Sequence, residues 1–306
     1  MRIGLTGGAS SIEKAVEQAK RAEDEGFSSI WYPGGGGSDP MLAAVGAATS
    51  TIEIGTSIIQ TYPCHPSLMA SRAAAIASAM GRPGFVLGIG PSHQPVVEGV
   101  YGMAYDHPGR HTEEYVDILM PLLRGEPVDV EGEDLTFRGA GRMGGGSAPP
   151  HPVPVLLAAL GPRLLRVAGE KADGTVLWMG NARAIESHVR PRIDAAAAAA
   201  GRPTPRVVAG LPVAVHDDVD EARRAAAEQF VVYGTLPNYQ RLLAHGGVDG
   251  PSEAAIVGDE EAVAAAIQGL FDAGASEVWA APFPVGDDRA GSRNRTRALL
   301  KELANS

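Results

Sequence analysis

The segment FVLGIGPSHQ, residues 85–94, decides the fold of this chain. A run of apolar residues ends abruptly in Gly, Pro, Ser, His and Gln. Continuous apolar residues are typical of a strand that is buried in a parallel sheet. In parallel α/β folds the ligand binds at the C-terminal ends of such strands. We therefore interpret residues 90–94 as one wall of a binding pocket.

Seven further strand candidates alternate with helices along the chain. Together with residues 84–90 they cover residues 2–6, 29–32, 52–60, 153–159, 174–179, 206–215 and 277–281. A doubly wound sheet typically has fewer strands and a Gly-rich fingerprint after the first one, so eight βα units favour a closed (β/α)8 TIM barrel, an α/β fold. We predict one barrel domain over residues 1–306, with rim insertions at about 125–152 and 234–256. The first insertion contains a predicted hairpin over residues 128–138.

Composition excludes several classes of function. The chain has 306 residues and a formal net charge of −10, which argues against a general affinity for nucleic acid. Its single cysteine, Cys64, permits neither an intrachain disulfide nor a multi-cysteine zinc site. We see no secretory signal and no apolar run of membrane-spanning length, which is about 20 residues. We therefore expect a soluble, cytoplasmic protein without a membrane partner.

The predicted strand ends carry no Asp, Glu or Lys. A glycosidase needs two carboxylates across its pocket, and a Schiff-base aldolase needs a strand lysine. A metal-dependent hydrolase usually shows His and Asp at several strand ends, so we expect no metal site. The remaining apolar and weakly polar lining suits a flat ring system, which indicates that a bound cofactor supplies the chemistry.

Three groups of residues are candidates for this site. Ala159, Leu160, Gly161, Pro162 and Arg163 resemble a helix N-terminus that binds phosphate, although an ordinary turn with a solvated Arg163 fits the same residues. His93 is a candidate proton donor or carbonyl ligand, with a rim histidine bonded to a loop as the alternative. Tyr32 and Trp178 are candidates to contact a ring or substrate, although aromatic residues on strands more often belong to the core.

The chain resembles the luciferase-like monooxygenase superfamily, in its branch of coenzyme F420-dependent oxidoreductases. The resemblance extends over nearly the full length. It rests on the order and spacing of AEDEGFSSIW at 22–31, IGTSI at 54–58, FVLGIGPSHQ at 85–94 and AGEKADG at 168–174, with the helix at 110–123 followed by GEPV at 125–128.

This resemblance implies a (β/α)8 barrel that holds a deazaflavin ring at its C-terminal face. A non-proline cis peptide at Ser57-Ile58 is expected to support the ring. The ring edge is expected near Gly90, Pro91, Ser92 and His93, and the ribityl-phosphate tail near Ala159, Leu160 and Gly161. We include Thr6 and Trp178 among the expected cofactor contacts. A homodimer is expected from the family alone.

Two departures from the family pattern affect the expected activity. Several members carry an Asp-His or similar pair where this chain has Tyr32-Pro33-Gly34, and some carry a catalytic Glu where it has Pro91-Ser92-His93. Sugar-phosphate oxidation is therefore disfavoured. The expectation is an oxidoreductase that moves a hydride between C5 of F420 and a small organic substrate, with His93 or Tyr32 as proton source. The alternatives are an FMN-dependent monooxygenase and a cofactor-binding barrel without turnover.

Overall fold

The computed structural model describes residues 1–34, 39–139 and 148–306. Its strands are β1 (Ile3–Thr6), β2 (Ser29–Tyr32), β3 (Glu53–Thr56), β4 (Ile59–Gln60), β5 (Phe85–Gly90), β6 (Val128–Glu131), β7 (Thr136–Gly139), β8 (Val155–Leu157), β9 (Gly174–Trp178), β10 (Arg206–Val215), β11 (Ile256–Gly258) and β12 (Glu277–Pro282). Its α-helices are α1 (Ile12–Asp24), α2 (Asp39–Ala48), α3 (Pro66–Met80), α4 (Gln94–Gly99), α5 (Pro108–Arg124), α6 (Pro162–Lys171), α7 (Ala182–Ala184), α8 (Arg190–Ala199), α9 (Val219–Gln229), α10 (Val231–Thr235), α11 (Pro237–His245), α12 (Pro251–Ala254), α13 (Glu260–Asp272) and α14 (Arg289–Ala304). A π-helical turn, Ile185–Val189, joins α7 to α8.

Eight parallel strands close into a barrel in the order β1-β2-β3-β5-β8-β9-β10-β12, and β12 pairs with β1. The predicted (β/α)8 barrel is therefore confirmed. β4 continues the third strand along β5, and β11 pairs with the far end of β10. The hairpin predicted in the first insertion is present as antiparallel β6 and β7, and residues 140–147 of that insertion lie outside the described residues.

Two indoles fill the middle of the barrel because glycines face them. A Cβ atom on Gly55 would lie 2.3 Å from the ring of Trp31, and one on Gly210 would lie 2.0 Å from the ring of Trp279. Trp31 is fully buried, and its Nε1 donates to Ser29 Oγ at 2.8 Å and to Glu277 Oε1 at 2.9 Å. Trp31 is therefore a core residue of the barrel interior.

An ion-pair network around one buried carboxylate closes the N-terminal end of the barrel. Glu277, which is fully buried, pairs with Arg206 at 2.9 Å and with Arg2 at 3.1 Å. Glu53 pairs with the same two guanidinium groups. The charged strand residues therefore lie at the end of the barrel opposite the predicted pocket.

The sequence prediction differs from the structure in three segments. The third strand, predicted as continuous, is interrupted at Ser57 and Ile58. The sequence predicts one helix over residues 219–233, whereas α9 ends at Gln229, because Phe230 leaves helical geometry (φ −112°, ψ 14°) and packs edge-on against Phe283. The second predicted interruption contains α11, α12 and the start of β11. Within the described residues, no helix is long and apolar enough to cross a membrane.

Candidate active site

The C-terminal ends of the eight barrel strands share one face, because all eight strands are parallel. This face brings together residues from the ends of β1, β3, β5, β8, β9 and β12. Apart from the network at its other end, the barrel interior is lined by apolar side chains, including Val86, Leu156, Val176, Val208 and Trp279. Ile58, Trp178 and Ala281 pack on this layer and are partly exposed. We define this face as the barrel mouth.

The end of the third strand forms the floor of the mouth. The peptide bond between Ser57 and Ile58 is cis, as the resemblance implies. A Cβ atom on Gly90 would lie 2.9 Å from Ala158 and 3.4 Å from Ile58, so the Ile58 side chain lies across β5 towards β8. Ser57 Oγ is buried and has no hydrogen-bond partner within the described parts of the chain. The floor therefore combines an apolar surface with one free hydroxyl group.

The end of β5 turns sharply after Pro91. Ser92 has φ +65°, a left-handed conformation that is uncommon for non-glycine residues and that clusters at functional sites. Its carbonyl oxygen accepts a hydrogen bond from Tyr105 Oη at 2.9 Å. This turn places His93 at the N-terminus of α4, half-buried.

Within the described residues, the imidazole of His93 is held by packing, and only its backbone carbonyl accepts hydrogen bonds, from the N–H groups of Val96 and Val97. Its ring lies 5.7 Å from that of Tyr239, and its buried Nδ1 has no partner among the residues that the structure describes. Burial lowers the pKa of this imidazole, so the neutral ring is favoured. A neutral imidazole can donate one proton and accept another, which suits a ligand-binding role at the mouth.

Tyr32 lies deeper than the sequence suggested. Only 1% of the residue is exposed, and its ring packs over Gly7, where a Cβ atom would lie 2.6 Å away. Burial raises the pKa of its phenol, and its hydroxyl has no partner in the described structure. A phenol in this environment stays protonated, and the proton-donor role of Tyr32 remains a proposal.

The predicted phosphate site lies at the N-terminus of α6. Gly161 is the residue before the helix and carries no side-chain cap, and Pro162 has no N–H group. The space on the side where Gly161 would carry a Cβ is open, because no described atom beyond its chain neighbours lies within 4 Å of that position. The guanidinium of Arg163 pairs instead with Glu113 at 3.0 Å. The structure therefore leaves backbone N–H groups at this end of the helix, beside an Arg163 that is paired with Glu113.

Two other predicted contacts are occupied by protein groups. The hydroxyl of Thr6 donates to the carbonyl oxygen of Ala280 at 3.3 Å. The indole of Trp178 stacks on that of Trp279, with ring centres 5.0 Å apart and an interplanar angle of 22°. Trp178 is partly exposed, so one part of its surface remains open to the mouth.

Sequence reasoning missed an aromatic group that packs beside the mouth. Phe230 follows α9, Tyr233 lies in α10 and Tyr239 lies in α11, and we call these three residues the aromatic canopy. Phe230 and Tyr233 contact Trp178 edge-on at 6.0 and 5.8 Å. Tyr239 contacts Tyr233 at 5.0 Å as well as His93. The only available signal was the concentration of aromatic residues in residues 230–239 of a chain with 5% aromatic residues.

A cavity of about 310 Å³ lies elsewhere, outside the barrel wall. It is bordered by Leu211, Ile256 and Leu270, with Arg183 and Arg223 among its polar residues. None of the predicted site residues lines it. We therefore assign the candidate site to the barrel mouth. In the described residues, no group of three or more His, Cys, Asp or Glu is placed to hold a metal ion.

Comparisons with known proteins agree with this geometry. Residues 1–299 match the family described as luciferase-like monooxygenase. The chain is 27% identical over 251 residues to 5,10-methylenetetrahydromethanopterin reductase of Methanolobus tindarius, covering 81% of this chain and 75% of that protein. It is 29% identical over 279 residues to F420-dependent glucose-6-phosphate dehydrogenase of Nakamurella multipartita, covering 85% and 79%.

The fold is also that of a known structure. The coenzyme F420-dependent tetrahydromethanopterin reductase from Methanopyrus kandleri superimposes with a TM-score of 0.79 at 22% identity, covering 98% of this chain and 97% of that one.

Proposed function

The chain belongs to the luciferase-like monooxygenase family, and from that premise we propose that it is a coenzyme F420-dependent oxidoreductase that transfers a hydride between C5 of the deazaflavin and a small organic substrate. The relatives support an oxidoreductase, and two of those described above carry F420 in their names. The reduced cofactor, when bound, supplies the hydride. The protein's residues bind and orient the ring, shield it from water and hold a proton for the substrate.

One observation carries this proposal. Five buried polar atoms in or next to the barrel mouth have no partner in the described part of the chain: Ser57 Oγ, His93 Nδ1, Trp178 Nε1, Trp279 Nε1 and Tyr32 Oη. Buried polar groups are normally hydrogen-bonded, so a cluster without partners is expected where a ligand supplies them. The adjacent surfaces of Ile58 and Trp178 are apolar and suit a flat ring. The residues present therefore fit a deazaflavin.

His93 is the stronger proton-transfer candidate of the two residues that we propose. It is half-buried beside Tyr239, whereas Tyr32 is 99% buried and packs on Gly7. The aromatic canopy makes the side of the mouth next to His93 apolar. A neutral, unsaturated substrate fits this surface better than an anionic one, because an anion would lose its hydration without a cationic partner.

The test is parallel titration of the apo-protein with F420 and with FMN, followed by fluorescence. We expect micromolar or tighter binding of F420 and at least tenfold weaker binding of FMN. The variant Ile58→Ala should weaken F420 binding because it removes the floor, whereas Ile12→Ala, at a residue that is 46% exposed on α1, serves as a matched control.

The other outcomes separate the alternatives. Preference for FMN would assign the protein to the monooxygenases of the family. Binding of F420 with no oxidation of the reduced cofactor by any substrate would favour a barrel without turnover. Binding of neither cofactor would refute the proposal.

We also propose a homodimer through the outer faces of α2 and α3. These helices pack on each other, and their outer surface exposes small or apolar residues, including Ala47, Leu68, Ala75 and Ala79. Leu68 is 49% exposed. Light scattering should give twice the chain mass of 31.6 kDa, and Ala75→Glu should give the single mass. A monomeric wild-type protein would contradict this.

A further inference from the structure

His188 is a buried histidine with an unusual backbone setting. It lies in the π-helical turn Ile185–Val189 and is 1% exposed. The turn is followed by Pro191, which lacks the N–H group that a continuous α-helix would use at that position. Single π-helical turns inside helices occur frequently at functional sites.

The imidazole of His188 holds the loop that precedes α6. Its Nε2 lies 2.8 Å from the carbonyl oxygen of Leu160. Because a carbonyl oxygen only accepts, Nε2 carries the proton and donates it, which leaves Nδ1 without a proton. Nδ1 is buried and unpaired within the described residues. The ring stacks on His245 of α11, with centres 3.8 Å apart and planes 13° apart.

The hydrogen bond between His188 and the Leu160 carbonyl determines the direction of the Gly161 N–H group. Leu160 and Gly161 are joined by a trans peptide, in which C=O and N–H point in opposite directions. Holding the carbonyl oxygen of Leu160 against His188 therefore directs the Gly161 N–H to the other side, away from His188. In the described structure, the Gly161 N–H makes no hydrogen bond, and the space around its Cα is open.

We propose that His188 is a positioning residue: through the Leu160 carbonyl it orients the Gly161 N–H to bind the phosphate of the cofactor. This inference rests on the proposed function, because it takes the ligand to be a ring cofactor with a phosphate in its tail. The backbone donors matter here because the Arg163 guanidinium is paired with Glu113 at 3.0 Å. His188 does not touch the cofactor and acts only through Leu160.

The experiment compares His188→Phe and His188→Gln with the wild-type protein. Phe keeps a flat ring for stacking on His245 and removes the donor, whereas the Gln amide can place an N–H near the position of Nε2. The ligands are F420 and the ribityl deazaflavin without phosphate. We expect His188→Phe to raise the Kd for F420 about tenfold, the scale of one hydrogen bond to a charged group, with the Kd of the phosphate-free ligand unchanged. His188→Gln should restore most of the F420 affinity.

A second measurement does not require the deazaflavin ring of the ligand. Labelling with ¹³C-carbonyl leucine and ¹⁵N-glycine marks two amides, because the chain has only two Leu-Gly pairs, Leu87-Gly88 and Leu160-Gly161. Titration with inorganic phosphate should shift the Gly161 signal in the wild type and not in His188→Phe. Gly88 N–H, bonded to Thr56 Oγ1 at 2.8 Å inside the barrel, is the internal control.

The outcomes separate the two proposals. If the wild type binds neither ring ligand, the proposed function fails, and the Gly161 signal still decides the role of His188. An equal loss of affinity for both ring ligands would show that His188 is only structural. A Gly161 shift that is absent in the wild type, or unchanged in His188→Phe, would overturn the inference.

Discussion

Gly34 packs directly against the carbonyl oxygen of Ile58: a Cβ atom built on Gly34 would lie 1.8 Å from that oxygen. The segment that follows β2 therefore lies directly against the backbone between β3 and β4. Ile58 forms the floor of the barrel mouth, so this floor packs against a residue just beyond the neighbouring strand β2. The obstacle is main chain and not a flexible side chain, so only glycine fits at residue 34.

Replacing Gly34 with alanine should displace this floor. We expect Gly34→Ala to lower the free energy of unfolding by about 1–3 kcal/mol, as overpacking does, and to weaken F420 binding. Gly8→Ala, near the end of β1, is a suitable control because no atom lies within 4 Å of a Cβ there. Urea denaturation and F420 titration of both variants check this. Wild-type stability and affinity in Gly34→Ala would contradict it.

The eight strands were predictable because each is an apolar run bounded by turn residues, and parallel strands are buried on both faces. The floor at Ser57-Ile58 could be predicted only through the resemblance to a family. The aromatic canopy could not be predicted, since Phe230, Tyr233 and Tyr239 follow no helical or strand period that would direct them to one face. The pairing of Arg163 with Glu113 joins residues 50 positions apart, and no local pattern encodes such a contact.

The buried Glu277 should stabilise the barrel without contributing to the mouth. Glu277→Gln removes a charge that pairs with Arg206 and Arg2 and that accepts from Trp31. Removing one partner of a fully buried ion pair costs about 3–5 kcal/mol. We expect a smaller loss in chemical denaturation, because Arg2 is half exposed and both guanidinium groups keep Glu53 as a partner. Without denaturant, the F420 affinity of Glu277→Gln should stay within about twofold of that of the wild type, since the network lies at the opposite end of the barrel. A large loss of affinity in the folded variant would contradict this separation.

Buried histidines should make the protein less stable in mild acid. Burial lowers the pKa of His93, His111 and His188 in the folded state. The unfolded chain therefore binds protons at a higher pH than the folded chain does. Their contribution to stability is complete above the unfolded pKa of about 6.5 and is lost as the pH falls below it.

The variant His111→Gln tests this acid sensitivity at a histidine outside the barrel mouth. His111 stacks on Tyr62 at 4.0 Å, and its Nε2 lies 3.2 Å from Thr61 Oγ1, a contact that a Gln amide can keep. We expect the melting temperature of the wild type to fall between pH 7.5 and pH 5.5, and to fall less in His111→Gln. His151→Gln, at a partly exposed residue before β8, is the control for the substitution itself. Identical slopes in His111→Gln and the wild type would refute the assignment.

Arg163 is a candidate residue of the phosphate site, but its guanidinium is paired with Glu113, which also pairs with Arg166 at 3.1 Å and with Lys171 at 3.5 Å. The shared carboxylate holds Arg163 against α5. We therefore expect Arg163→Ala to change the Kd for F420 by less than about threefold, within the range of a weak, exposed ion pair. Glu113→Gln should release Arg163 and strengthen F420 binding at low ionic strength, an effect that salt removes. A tenfold loss in Arg163→Ala would show that the guanidinium leaves Glu113 to bind the phosphate itself.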